Sequence, residues 1–333
     1  MQVLIVNQSE VARLLPMEAC IETMAQTLAA MGRGETILPL RQVLMLPDKL
    51  GAFAAMPAYV PSPGAIGLKS ITVFPGNHGT EFDSHQGAVL LFETRHGSLL
   101  AVIDASSITA VRTAAVSAVA TRLLARADAS DLALLGTGVQ ALTHLEALGH
   151  VRQLRRVRAW SRDAGHVQAF AERARRRLGI EVEAAPSARE AVEGADLVCT
   201  VTSSREPVLE GEWLAPGAHV NAVGSSLPSA RELDSAAVSR ARLFVDRRES
   251  ALNEAGDFLI PRREGVIDDA HILAELGELL LGSHPGRQSE TEITVFKSLG
   301  LAVEDVAAAR LVYDNAIKTG AGTRVELGGV RDA

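Results

Sequence analysis

An apolar run, Leu132-Ala133-Leu134-Leu135, passes directly into Gly136-Thr137-Gly138-Val139-Gln140-Ala141, and no other stretch narrows the choice of fold so far. The run reads as a buried strand, and the apolar residues from Val139 to Leu148 recur at helical spacing. A strand that turns into a helix through glycines lets the backbone approach a ligand closely. It also aims the first helical N–H groups and the helix dipole at one point, where a pyrophosphate binds. A lone G-x-G-x-x-A string is weak, but one with a strand before it and a helix behind it marks the start of a dinucleotide-binding βαβ unit. The competing reading is a tight strand–helix turn with no ligand.

The chain around this motif supports an α/β fold with a Rossmann-type, doubly wound parallel sheet. After it come strand Val157–Trp160, a basic helix from about Ala164 to Leu178, strand IEVEA, helix AREAVEGA and the strands LVCTVT, HVNAV and RLFVD. Strands alternating with helices over this length form parallel sheets. Upstream, Val3–Val6 predicts a strand and Ser9 an N-cap, with helical periodicity through Met31. Residues 37–103 break into short β-type runs separated by Pro, Gly, Asn and Asp, which predicts an antiparallel or mixed sheet with a hairpin at His96-Gly97. An Ala-rich helix follows from Ala105 to about Arg126. After the strand-like ITVFKS, the helix Val303–Thr319 is placed so as to rejoin the N-terminal unit.

Composition narrows the function. With 33 Lys and Arg against 40 Asp and Glu the net charge is −7, which argues against a generally basic nucleic-acid surface. No run approaches the ~18 consecutive apolar residues of a membrane span, and MQVLIVNQSEVARLL lacks the basic start of a signal peptide. Cys20 and Cys199 are too far apart for a metal motif and fit a reducing compartment. The expectation is a soluble, cytoplasmic, metal-free protein with no nucleic-acid or membrane partner. The second strand of the βαβ unit ends Trp160-Ser161-Arg162-Asp163, where an NAD site presents an acid to the ribose diol. A neutral Ser161 followed by Arg162 suits the 2′-phosphate of NADP(H) instead, with NAD(H) as the alternative if Asp163 pairs with Arg162.

Four blocks, SHQGAVLLFETRHGSLLAVIDASSITAVRTAAVSA, LALLGTGVQA, GAHVNAVGSSLPSARELD and EITVFKSLGLAVEDVAAA, occur in order between about Leu38 and Thr319. Together they resemble the ornithine cyclodeaminase/mu-crystallin family. The resemblance implies an α+β substrate-binding and dimerisation domain (residues 1–115 and 300–333), a Rossmann domain (116–299), an active site in the cleft between them, and a homodimer. It implies that Arg41, Lys69 and Arg112 surround the substrate carboxylate, three cations converging on one anion. Their crowding should lower the pKa of Lys69 and make it the catalytic proton donor or relay. Taken alone, Arg41 and Arg112 read equally well as surface or structural cations, whereas Lys69 in the apolar strand Ala65–Phe74 calls for a buried anion.

On the cofactor side the resemblance implies contacts from Ser84, His85 and Arg112, from Gly136, Thr137, Gly138, Val139 and Gln140, from Ser161 and Arg162, and from Thr202, Val223 and Ser298. Thr202 and Asn221–Gly224 end apolar strands at the edge where such ligands bind, although strand-end capping is an ordinary use of Thr, Asn and Ser. Glu254 in NEAGDF resembles an acid near the ligand pocket and reads equally as a solvated loop acid. One departure bears on activity. Ornithine cyclodeaminases carry an aspartate in the loop after the NAVG strand, where this chain has Ser226 in Gly224-Ser225-Ser226-Leu227-Pro228. A hydroxyl is no general base near neutral pH. The loop is closer to mu-crystallin and to bacterial reductases of cyclic ketimines. The implied activity is NAD(P)H-dependent reduction of a small cyclic ketimine carboxylate such as 1-pyrroline-2-carboxylate or 1-piperideine-2-carboxylate. Ornithine cyclodeamination, alanine-dehydrogenase-like reductive amination and non-catalytic NADPH-dependent ligand binding are the alternatives.

Overall fold

A computed structural model describes residues 2–62, 64–77 and 80–329. The chain forms two compact units: one runs up to Arg112 and resumes at Gly300, and the other is Thr113–Leu299.

The first unit opens with β1 (Gln2–Val6), α1 (Gln8–Leu14) and α2 (Met17–Gly32). One continuous helix with a Ser9 cap was expected; there are two helices, and the cap is Asn7. Its side chain accepts from Glu10 N while the Glu10 carboxylate accepts from Asn7 N, a reciprocal capping box. Pro16 stands at the N-cap of α2, having no N–H to continue α1. Then come β2 (Gln42–Met45), β3 (Ala52–Val60), β4 (Ala65–Val73), β5 (His85–Phe92) and β6 (Leu99–Asp104). The β5–β6 pair is antiparallel, and Gly97 between the two strands has φ +73°, a left-handed conformation open to glycine. Helix α3 (Ala105–Leu124) contains the boundary between the units.

The second unit continues with β7 (Asp131–Leu135), α4 (Val139–Val151), β8 (Arg156–Trp160), α5 (Ala164–Leu178), β9 (Glu183–Ala184), α6 (Ala188–Val192), β10 (Leu197–Thr200) and β11 (His219–Ala222). It ends with α7 (Ser235–Ser239), β12 (Arg242–Val245), α8 (Arg248–Glu254), α9 (Gly256–Arg263), β13 (Ile272–Glu275), α10 (Leu276–Leu280) and β14 (Thr294–Lys297). Its sheet has the order β13-β12-β14-β11-β10-β7-β8-β9, with every pairing parallel. Counted from β7, the first five strands lie 3-2-1-4-5, so the direction of winding reverses between β7 and β10, the switch point at which such sheets bind ligands. Alternate residues of each strand face opposite layers. Leu132 and Leu134 pack with Leu197 and Cys199 on one side, while Ala133 and Leu135 pack with Val198, Val220 and Ala222 on the other.

Helix α11 (Ala302–Thr319) and β15 (Thr323–Glu326) return the chain to the first unit, whose mixed sheet has the order β15-β1-β6-β5-β4-β3-β2 with only β1–β6 parallel. Helix α11 packs on α2, β3 and β4, with Ala302, Val303, Val306 and Ala307 among its buried residues. The approach to β4 is close. A Cβ on Gly67 would stand 2.6 Å from a Val306 methyl carbon, so glycine is needed for the helix to seat. Among the described residues, no helix is long and apolar enough to cross a membrane.

Candidate functional site

Two residues beyond Gly67 on β4, the side chain of Lys69 is only 2% exposed, and its Nζ lies 2.7 Å from Asp305 Oδ2 on α11. Here is the buried anion that a lysine in an apolar strand requires, and it comes from the chain itself. Arg112 on α3 is equally buried: its Nε donates to Asp305 Oδ1 at 2.8 Å and its Nη1 to Glu304 Oε2 at 2.8 Å. Half-buried Arg41 donates to the Gly300 carbonyl at 3.0 Å. The structure therefore brings Arg41, Lys69 and Arg112 together, with a correction to their expected surroundings. They are not three cations around one external anion, because Glu304 and Asp305 are built into the cluster.

The Lys69 ammonium is brought down to about 8. Burial is the largest cause, with Arg112 and Arg41 adding repulsion and Asp305 opposing them; crowding of like charge, the expected cause, is secondary. Burial pushes the Asp305 carboxyl up, but Arg112 and Lys69 outweigh it and hold Asp305 below the ordinary aspartate value. Ser84 and His85 lie at the start of β5, with Ser84 Oγ 3.1 Å from His85 Nδ1. Desolvation and the Lys69 ammonium keep the imidazole below its usual value and so favour the neutral ring, against the opposing pull of Asp83.

In the second unit, the residues expected at the cofactor lie at the C-terminal ends of parallel strands. Gly136 follows β7 with φ +118°, and a Cβ there would stand 2.7 Å from the Val201 carbonyl. Gly138 is the N-cap of α4, with no side-chain cap and open space where a Cβ would project. The loop thus leaves the first N–H groups of α4 uncapped beneath bare backbone, which fits a pyrophosphate. Thr137 is held from behind, its carbonyl accepting from Arg173 of α5 at 2.8 Å; exposed Val139 begins the helix and Gln140 follows it.

Ser161 and Arg162 follow β8. The expected alternative, Asp163 pairing with Arg162, is not what forms: the Asp163 side chain caps α5 by accepting from Gly165 N at 2.8 Å. Arg162 is exposed and has no ion-pair partner among the described residues. Thr202 lies two residues past β10 and Val223 one past β11, while Ser298 follows β14 and is buried, its N–H donating to Ala222 O. Asn221 is corrected: it is fully buried inside β11 and donates to Thr121 Oγ1 at 2.9 Å, so it is not at the ligand edge. Ser226 is half-buried in the loop after β11, and Glu254, also half-buried, ends α8.

Sequence reasoning missed the acids. Glu232 accepts from Thr202 N, Thr202 Oγ1 and Gly224 N at 2.6–2.7 Å, tying together the segments that follow β10 and β11. Beneath it, Asp257 accepts from the Glu232 and Leu233 N–H groups and pairs with buried Lys297 at 2.9 Å. The signal was legible in principle, since Glu304 and Asp305 interrupt the apolar run LAVEDVAAA, where uncompensated charge is costly.

A parallel sheet with a glycine loop at its switch point, in one chain with a unit that buries a cation cluster, defines a two-unit α/β protein of the dinucleotide-binding class. The chain belongs to the ornithine cyclodeaminase/mu-crystallin family, whose model matches residues 1–320. It is 45% identical over 282 residues to the mouse (Mus musculus) ketimine reductase mu-crystallin, covering 85% of this chain and 86% of that one. Its structure is similar to that of Thermococcus litoralis Δ1-pyrroline-2-carboxylate reductase in complex with NADH and L-proline, with TM-score 0.95 and 39% identity over 97% of this chain and 100% of that one. It is also similar to an archaeal alanine dehydrogenase dimer with bound NAD, with TM-score 0.93 and 33% identity over 98% and 100%.

Proposed function

We propose that this protein is an NAD(P)H-dependent reductase that converts a small cyclic ketimine carboxylate, such as 1-pyrroline-2-carboxylate or its six-membered homologue, to the cyclic amino acid. The cluster of buried Lys69 and Arg112 with half-buried Arg41 carries the reading, because three cations against the two built-in carboxylates of Glu304 and Asp305 leave one positive charge over for a substrate carboxylate. The mouse ketimine reductase and the Thermococcus litoralis reductase similar to this chain support it.

In this reading the Gly136–Gln140 loop, Ser161, Arg162, Thr202, Val223 and Ser298 hold the dinucleotide, and Ser84, His85 and Arg112 are the further contacts that the family resemblance implies. When bound, the nicotinamide supplies the hydride that reduces the C=N bond. The chain's own groups do the rest. Arg41 and Arg112 fix the substrate carboxylate and so orient the imine carbon. Lys69 is the candidate proton donor to the imine nitrogen, and an ammonium that titrates at about 8 is close enough to neutrality to give up a proton.

Arg162, with no acid paired to it, favours NADPH over NADH. The exposed apolar strand β2 favours a homodimer, and the two distant, buried free cysteines suit a reducing cytoplasm. Ser226 weighs against ornithine cyclodeamination, which needs a base that a serine hydroxyl does not supply. The test is NADPH oxidation by the purified protein with cyclic ketimines, with pyruvate plus ammonia, and ammonia release from ornithine with NAD. Ketimine-dependent oxidation is expected. Turnover of ornithine or of pyruvate plus ammonia in preference to ketimines would reassign the activity, and stoichiometric ketimine binding without oxidation would make the protein a binding module.

A further inference from the structure

Asp305 stands between two cations that arrive on different elements. Its Oδ2 meets Lys69 Nζ from β4 at 2.7 Å and its Oδ1 meets Arg112 Nε from α3 at 2.8 Å, and the side chain is fully buried. Neither carboxylate oxygen can be replaced by an amide nitrogen, because both partners only donate. The fold presses Asp305 into place. Gly67 lets α11 seat on β4 two residues from Lys69, and Glu304, next to Asp305, takes the Nη1 of Arg112 while also accepting from Leu301 N at the start of α11.

We propose that Asp305 is the positioning residue of the carboxylate site: it fixes Lys69 and Arg112 relative to one another, and its charge keeps Lys69 protonated in the working pH range. The inference rests on the reading of Lys69 as the proton donor. Among the described residues, the charged and titratable groups that act on Lys69 are Asp305 on α11, Arg112 on α3, Arg41 before β2 and His85 on β5, and Glu304 of α11 joins the cluster through Arg112. Cys20 of α2, in the field of Arg112 and Glu304, is pushed up to about 12 by burial and stays a thiol. Asp305 is the carboxylate paired directly with the Lys69 amine. Without its charge, burial and the repulsion of Arg112 and Arg41 act unopposed and the ammonium sheds its proton earlier.

The chain has four lysines, so 13C labelling at lysine Cε gives four signals, and Lys69 is assigned by its loss in K69R. The Lys69 signal is expected to titrate near 8 in the intact protein and at least about one pH unit lower in D305N, while in E304Q it should move much less. A folded D305N whose Lys69 titrates as in the parent overturns the proposal, because a purely structural aspartate would leave that titration in place. Where D305N does not fold, the coupling is read from the other end, since it is reciprocal. In K69M, Asp305 keeps Arg112, and its labelled carboxyl should titrate higher than in the parent; no movement there also overturns the proposal. These titrations need no turnover. Ketimine reduction with an unmoved Lys69 would sink the role of Asp305 alone, and a moved Lys69 without ketimine reduction would sink the proposed activity alone.

Discussion

Gly300 stands where backbone geometry and charge meet. Its φ is +76°, its carbonyl accepts from Arg41, and a Cβ at this position would lie 2.5 Å from Arg112 Nη1 and 2.7 Å from Nη2. A guanidinium can usually swing away from a new methyl group, but this one is held by Asp305 and Glu304 on two of its nitrogens. Gly300→Ala should therefore displace Arg112 rather than be absorbed. Misplacing a charged hydrogen bond at a buried site costs on the order of 1.5–3 kcal/mol, so kcat/KM should fall roughly ten- to hundredfold. Circular dichroism and the urea midpoint should stay close to the parent's; a loss of kcat/KM matched by a general loss of folded structure would mean unfolding instead. Arg162 gives the complementary experiment. With Asp163 committed to capping α5, no acid among the described residues pairs with the guanidinium, and Arg162→Ala should cut the NADPH-over-NADH ratio of kcat/KM about tenfold, near 1.4 kcal/mol. A parent protein that prefers NADH tenfold would remove the basis of that prediction.

Helices α3 and α4 are joined by a buried polar contact that makes the second unit acid-sensitive. His144 Nδ1 lies 2.7 Å from the Gln140 carbonyl, which only accepts, so Nδ1 carries the proton and Nε2 accepts from Ser117 Oγ at 2.9 Å. Burial holds His144 down at about 4 and His219 at about 3, against 6.5 in the unfolded chain. The unfolded state thus binds more protons as pH falls below 6.5. The stability that the neutral rings provide is complete above that value and is lost progressively towards 4, at up to about 1.4 kcal/mol per pH unit per ring. Urea midpoints should drop between pH 6.5 and 5, and His144→Gln, though less stable at pH 7.5, should show a shallower slope. A midpoint that does not move between pH 7.5 and 5 would contradict this. At this scale much of the fold could be read from the chain: β7, α4, β8 and α5 lie within a few residues of where periodicity puts them, since each buries a regular apolar face. What could not be read depends on distant partners. Strand β15 is exposed and polar and forms only because β1 offers an edge, and Asp305 acquires its meaning only when α11 lies against β4, more than 230 residues from Lys69 in the chain.

For the molecule as a whole, one feature of the first unit is unaccounted for within a single chain. Strand β2 closes its sheet, all four of its residues are exposed, and Val43, Leu44 and Met45 are 47–63% accessible, with Ile37, Leu50 and Phe53 nearby also exposed. An edge strand in a monomer is ordinarily kept short or charged, because unpaired backbone groups beside apolar side chains recruit another chain. β2 is short, but its sequence, Gln42-Val43-Leu44-Met45, carries no charge. In the homodimer proposed above, a second copy of this chain would cover it. The proposed dimer should appear by sedimentation velocity at micromolar concentration. The double variant L44K/M45E should sediment as a monomer, since two charges on adjacent residues put one on each face of the strand and a dry interface would have to bury both. Its circular dichroism should match the parent, because residues already exposed in the single chain contribute little to its core. A parent protein that is monomeric across that range, or a double variant that remains dimeric, would place the contact elsewhere and leave β2 as an edge protected by its shortness alone.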